Sequence, residues 1–464
     1  MCGPQAPQAP KTLPIDVEGQ QERRRSSKAT LEQDNSPRIV ALQALFGFTH
    51  QEMCQVRGLP TIASWCRYLE GCFQPLLTEQ YESVWLAFGL PRPKSPSHCW
   101  PLFEAVCRAV VEVDEEGYSI QDVWRLAKIS IGSDSEAVAE EDGLITPAAH
   151  DECMIVVFAI ICWGSMILQP QVTRRQSANP CLSVHQLSAR HQGLKMDFVR
   201  RPIPVIFRNF RKTLTSRQLQ RTSVTGEPCI LFVSTINYHS LRTIGKVRLK
   251  WVDNLSSHLN FDSRTRTLSV FQFPSFCALS TIPSDRGILF EELVRTLFST
   301  GDEIVRELES SRQLGSEVLM SYRLLFGQTR AARKLGKTEL QTIKDSYDYD
   351  QLLDCLCTNP RKEVVKKLPD SFWPASCRGL DNTLQEDDSY SSQDDFPMLG
   401  SRLAAIQEFN LRQQPSRLRD LWRDRRNPLQ WYTFWAVLVV GGLSIILAIL
   451  QLTAAILAVV PLRG

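Results

Sequence analysis

Cysteine and histidine are the residue types with most to offer a chemical site here, and their spacing decides what they can do. Cys355 and Cys357 form a Cys-x-Cys pair with Cys377 twenty residues on, but no histidine lies nearby and the spacing is not that of a zinc site. The fourteen cysteines are scattered, many in apolar settings such as Val-Cys-Arg at Cys107 and Ile-Cys-Trp at Cys162. In such settings a thiol packs as a small hydrophobe, and reduced, buried thiols are expected. The seven histidines, among them His98, His150, His185 and His258, are dispersed and form no grouping with Ser, Cys or Asp. No phosphate-binding lysine loop, dinucleotide glycine fingerprint, Gly-x-Ser-x-Gly elbow, His-Glu-x-x-His pair or EF-hand spacing occurs. The sequence therefore assigns no catalytic residue, no cofactor and no metal.

Charge points to local contacts rather than a global field. The balance of 53 basic and 50 acidic side chains leaves +3, which gives no reason to expect a nucleic-acid partner. The most basic stretch joins Arg200, Arg201, Arg208, Arg211, Lys212, Arg217 and Arg221 with Ile203, Phe207, Phe210 and Leu214. It reads as a surface helix with its apolar stripe in the core, a helix lying on anionic lipid being the second reading. Ser391 and Ser392 each precede an aspartate by three residues, a spacing open to phosphorylation.

What must position all of this is a chain with one dominant apolar run. From Trp431 to Val460 there is no charged residue, and thirty helical residues reach about 45 Å, more than a hydrocarbon core of about 30 Å. Eleven of the residues from Ala436 to Ala455 are Val, Leu or Ile, which contribute roughly −3 to −7 kcal/mol to insertion. Trp431, Tyr432 and Trp435 suit the membrane interface, and Arg423, Arg425 and Arg426 before them place the N-terminal side in the cytosol by the positive-inside rule. Only Pro461 to Gly464 follow, the arrangement of a tail-anchored protein inserted after translation, in the endoplasmic reticulum or a later secretory membrane. Gly441, Ser444, Ala448, Gln451 and Ala455 recur at steps of three and four, a small and polar face suited to helix–helix contact and to a homo-oligomer.

The rest divides by composition. Residues 1–37, rich in proline and glutamine and without the apolar segment of a signal peptide, read as a disordered polar arm. Residues 38–378 read as a mainly helical cytosolic body, with Trp65, Trp85, Trp100 and Trp124 in its core and a β hairpin region at about 230–285. There Val247, Leu249 and Trp251 alternate with Lys246, Arg248 and Lys250, and the turn Asp262–Thr265 separates Phe261 from Leu268 and Val270. Met154 to Leu168, fifteen residues long between Asp151-Glu152 and Gln169-Pro170, reaches only about 22 Å as a helix and reads as a buried central helix rather than a second span. Residues 379–416 read as an acidic flexible tether and 417–430 as a basic juxtamembrane segment.

Four segments carry a resemblance: VFAIICWGSMIL near residue 160, HLNFDSRTRTLSVFQFPSFC from His258, SYRLLFGQTRAARKL from Ser321, and RLRDLWRDRRNPLQWYTFWAVLVVGGLSIILA from Arg417. Together they resemble a group of uncharacterised single-span membrane proteins of filamentous fungi, a likeness that implies the anchor and no activity. The expected fold class is α+β, a mainly helical cytosolic body with a small antiparallel β element plus one C-terminal transmembrane helix. The expected role is a membrane-anchored interaction or scaffold protein, with the lipid bilayer and unidentified cytosolic proteins as partners. A subunit of an oligomeric channel or transporter, and an anchored enzyme with an unrecognised site, are the alternatives.

Overall fold

Local signals start the helices. Ser119 caps the helix Ile120–Ile131 by accepting the Asp122 amide while the Asp122 carboxylate accepts the Ser119 amide, a reciprocal capping box. Thr146 caps the helix Pro147–Ser165, whose proline supplies the preset φ of a first turn. The computed structural model describes residues 37–48, 62–112, 118–132, 146–172, 180–185, 193–215, 229–281, 293–294, 310–346, 348–358, 387–413 and 428–459.

In chain order the helices are α1 (Pro37–Phe46), α2 (Ile62–Phe73), α3 (Glu82–Ala87), α4 (Trp100–Glu112), α5 (Ile120–Ile131), α6 (Pro147–Ser165), α7 (Ile203–Thr215), α8 (Val233–Ile236), α9 (Tyr238–Thr243), α10 (Pro274–Ser280), α11 (Ser310–Tyr322), α12 (Arg330–Gln341), α13 (Leu352–Thr358), α14 (Gly400–Arg412) and α15 (Pro428–Val459). A π-helical turn, Arg323–Gly327, continues α11. The strands are β1 (Cys181–Leu182), β2 (Leu194–Lys195), β3 (Ile230–Phe232), β4 (Arg248–Val252), β5 (Phe261–Asp262), β6 (Thr267–Phe271) and β7 (Ser389–Ser391). The expected mostly helical body with small antiparallel sheets is what the chain forms.

Helix α6 is the hub of the N-terminal half, with α3, α4 and α5 packed on it. Because it touches neighbours on all sides it is apolar on all sides, and all but one of the residues from Cys153 to Ser165 are fully buried. Its end is set by Met166 in the left-handed region (φ 53°), after which Leu255 and Ser256 donate to the carbonyls of Met166 and Ile167. Phe73 stands edge-on to Trp100 at 5.4 Å and to Trp163 at 6.0 Å, and Phe158 stacks on Phe210 of α7 at 5.6 Å. The expected tryptophans Trp65, Trp85, Trp100 and Trp124 all lie in this core.

The three-stranded sheet runs β4-β6-β5. The hairpin read from the sequence is the antiparallel pair β5–β6, closed by Asp262, whose carboxylate accepts the Arg264 amide and the Thr265 hydroxyl. Strand β4, by contrast, lies parallel to β6, Arg248 opposite Thr267 through Val252 opposite Phe271. The fourteen residues from Asp253 to Arg266 are long enough for the crossover that parallel pairing requires.

One expectation about position holds and another changes. In α7 the apolar residues Ile203, Ile206, Phe207 and Phe210 are buried, so the basic stretch is a surface helix with its stripe inward as far as Phe210. Residues 387–413, expected to belong to a flexible acidic tether, are instead folded into the body. Strand β7 pairs with β3, and Tyr390, Phe396, Leu399, Leu403 and Ile406 enter the common core. The acids and serines occupy the outward positions between these apolar residues, and the apolar residues bury enough surface to fix the segment. Gly400 is required there, since a Cβ would collide with the Ser392 carbonyl oxygen. The remainder of the tether, the N-terminal arm before residue 37 and residues 417–427 of the juxtamembrane segment lie outside the described residues.

Candidate functional site

Helix α15 is the region whose surroundings differ most from a folded interior. Over its 32 residues it is about 48 Å long. Tyr432–Ile456 is strongly apolar and exposed over most of its length. Val437 is 73% exposed, Ile445 63% and Leu452 62%, more apolar surface in one stretch than a water-soluble face sustains. Two hydroxyls within the run turn back on their own helix: Ser444 Oγ donates to the Val440 carbonyl at 2.9 Å and Thr453 Oγ1 to the Leu450 carbonyl at 2.8 Å. A polar group that satisfies itself within one helix tolerates lipid.

The interface residues fall on both sides of the described boundary. Arg423, Arg425 and Arg426 lie outside it. Trp431 is in the helical backbone, Tyr432 is 65% exposed, and Trp435 is half-buried with its ring 6.2 Å from Phe434. Gly441, Ser444, Ala448, Gln451 and Ala455 are all exposed. A Cβ at Gly441 or Gly442 would meet nothing within 4 Å, so the fold of this chain does not itself demand glycine there.

Helix α6 also has the length and composition to cross a membrane, but 67% of its apolar window is buried within the body. The expectation of a central core helix at Met154–Leu168 holds.

The structure also gathers buried polar groups that sequence reading left dispersed. His258 is completely buried with Ser321 at 2.8 Å from Nε2, a pairing that resembles a nucleophile and its base. The hydrogen bonds say otherwise. The Phe271 amide donates to Nδ1 at 3.1 Å, so the ring proton sits on Nε2 and points at Ser321 Oγ, which passes its own proton to the Val318 carbonyl at 2.7 Å. A base for Ser321 needs a bare Nε2. Burial, reinforced by the Arg402 guanidinium, holds the imidazole down at about 3 and keeps it neutral. His258 and Ser321 are a structural cross-link between the β5 approach and α11.

Two carboxyls do similar work. Asp350 accepts the amide and hydroxyl of Ser275 and the Leu352 amide, and burial raises its carboxyl to about 6 despite these bonds. Glu317 accepts the amides of Met398 and Leu399, at 3.1 and 2.7 Å, and the Gln313 side chain at 3.2 Å; burial raises it to about 8. It caps the entry to α14 from another helix. A lone acid in the largely apolar run Leu314–Phe326 was the signal for it in the sequence.

Several of the described thiols are held protonated by burial. Burial pushes Cys66, Cys72, Cys99 and Cys153 up to about 12, and Cys355 and Cys357, in no disulfide, lie on one short helix. Among the described residues no group of three or more His, Cys, Asp or Glu is placed to hold a metal. An open cleft of about 430 Å³ is lined by Leu90, Pro91, Arg92, Lys94, Ser97 and His98 among others. Its histidine is occupied in staking the loop, accepting the Lys94 amide at Nδ1. Compared with family models, with curated proteins and with solved structures, the chain matches none of them.

Proposed function

We propose that the chain is a single-span membrane protein whose helical body faces the cytosol and serves as an interaction or scaffold module, in the endoplasmic reticulum or a later secretory membrane. One observation carries this reading: Tyr432–Ile456 is uncharged, strongly apolar and exposed over most of its length, while the equally helical α6 is enclosed by the body. Apolar surface of that extent needs a nonpolar phase, and a bilayer fits its length. The arginines before Trp431 support the cytosolic orientation of the body. The scaffold reading is supported by Glu317 and Asp350, buried carboxyls spent on holding backbone amides.

The test is alkaline carbonate extraction of membranes combined with protease protection. The chain stays in the membrane pellet, a tag on the N-terminus is digested in intact vesicles and a tag after residue 464 is protected. Release by carbonate overturns the span, and the reverse protection pattern overturns the orientation.

A further inference from the structure

Outside α15, five large apolar side chains among the described residues stand clear of the body: Leu86, Ile129, Ile230, Phe232 and Leu411. Three of the five sit on β3 and α14, which pack together. In β3 alternate residues face opposite ways, so Leu231 is buried while Ile230 and Phe232 are 56% and 46% exposed. Their cross-strand neighbours are Ser391 and Ser389, so the four paired positions on the outer face are uncharged, with the Asp394 carboxylate held beside them by Ser391 Oγ. Leu411, 52% exposed, lies one helical turn beyond Gln407, the α14 residue that grips β3.

That grip narrows what can cover the face. One edge of β3 is taken by β7. On the other, Gln407 Oε1 accepts the Phe232 amide at 2.7 Å and Nε2 donates to the Ile230 carbonyl at 2.8 Å. The side-chain amide stands in for a neighbouring strand at these two groups, where an added peptide strand would have to bond. The face therefore offers side chains only, which suits a fluid apolar phase. Helix α14 is also the last described element before the anchor: fourteen residues separate Gln413 from Pro428 and cannot span more than about 50 Å.

Resting on the reading of α15 as a span, we propose that Ile230, Phe232 and Leu411 seat this end of the body on the headgroup region of the same bilayer. Arg412, next to Leu411, is paired with Glu408 one helical turn back, so the charges beside the face are largely acidic. The exposed acids nearby, Asp388 and Asp394, select a zwitterionic surface over an anionic one.

The experiment places the photo-crosslinker p-benzoylphenylalanine singly at positions 232, 411, 86 and 440 in the full chain, in phosphatidylcholine nanodiscs, and identifies adducts by mass spectrometry. Lipid adducts at 232 and 411 should exceed those at 86 several-fold and accompany strong adducts at 440. Replacing a third of the lipid with phosphatidylserine should lower the yield at 232. Adducts at 440 with only background at 232 and 411 overturn the seating and leave the span intact. Adducts from 232 to a second copy assign the face to self-association and overturn the proposal likewise. Absence at 440 overturns the span itself, and a yield at 232 that rises with phosphatidylserine overturns the choice of lipid surface.

Discussion

Helices α6 and α15 both present long apolar runs with few polar interruptions, and composition alone nominates either for a membrane. Their surroundings part them. Helix α6 is covered by α3, α4 and α5 and ends where the chain turns back into the body at Met166, whereas Tyr432–Ile456 stands exposed over most of its length. An apolar helix records only that its surface must avoid water. Whether protein or lipid fulfils that need depends on elements distant in sequence.

The difference is largest in what a truncated side chain costs. Phe158→Ala in α6 removes a fully buried ring stacked on Phe210 and should destabilise the body by about 3–5 kcal/mol. Leu447→Ala in α15, a change of similar kind, should leave body unfolding within about 0.5 kcal/mol of the parent. Denaturant unfolding of both variants in detergent checks this. A large effect of Leu447→Ala would mean that α15 packs on the body and would break the contrast.

Glycines sharpen it at a smaller scale. A Cβ at Gly164 would lie 3.2 Å from Leu45 Cδ1 and 3.6 Å from Phe103 Cζ, so Gly164→Ala should cost about 1–3 kcal/mol through overpacking against α1 and α4. Gly441 has open space around it, so Gly441→Ala should be neutral for the body. The paired melting temperatures decide between these outcomes.

Between the two helices lies the folded segment 387–413, whose attachment depends on Glu317. Its carboxyl rises from an ordinary value near 4.5 to about 8 in the folded chain. A raised folded value means the stabilising proton binding is complete below pH 4.5 and is lost as pH climbs through about 8. The unfolding free energy should therefore fall across that window with a slope of at most about 1.4 kcal/mol per pH unit from this group, with Asp350 adding to the fall between about pH 4 and 6. Glu317→Gln should flatten the upper part of the curve. Hydrogen exchange of Met398 and Leu399 should accelerate towards pH 8 in the parent, while the run Tyr432–Ile456 holds no charged group to respond.

How far the sequence displayed these features follows from where the deciding forces act. Helix α15 was legible because thirty uncharged residues need no partner to be recognised, and the core place of α6 because its apolar run between Asp151-Glu152 and Gln169-Pro170 is only fifteen residues, though the helix itself is longer. The β5–β6 hairpin was legible because Asp262 makes its own turn. Residues 387–413 were misread because Tyr390, Phe396 and Leu399 are diluted among acids and serines, and only their pairing with β3, some 160 residues away in sequence, shows what they do. The parallel lie of β4 on β6 and the meeting of His258 with Ser321 are likewise products of long-range packing, which local periodicity does not encode.

The smallest expected effect concerns the face of Gly441, Ser444, Ala448, Gln451 and Ala455. In α6 every side is already used, so a polar substitution there only subtracts; in α15 a polar side chain in lipid gains by finding another helix. Ser444 satisfies its hydroxyl within its own helix, but the Gln451 amide carries two donors and an acceptor that a single helix satisfies poorly. If this face joins two copies, Gln451→Leu should weaken their association by about 0.6–1.7 kcal/mol, a three- to roughly twenty-fold rise in the dimer dissociation constant measured by energy transfer in vesicles. Gly441→Ile should weaken it further by keeping the backbones apart. An association unchanged by both substitutions would make α15 an anchor alone, and its contrast with α6 would then be one of solvent only, lipid on one side and protein on the other.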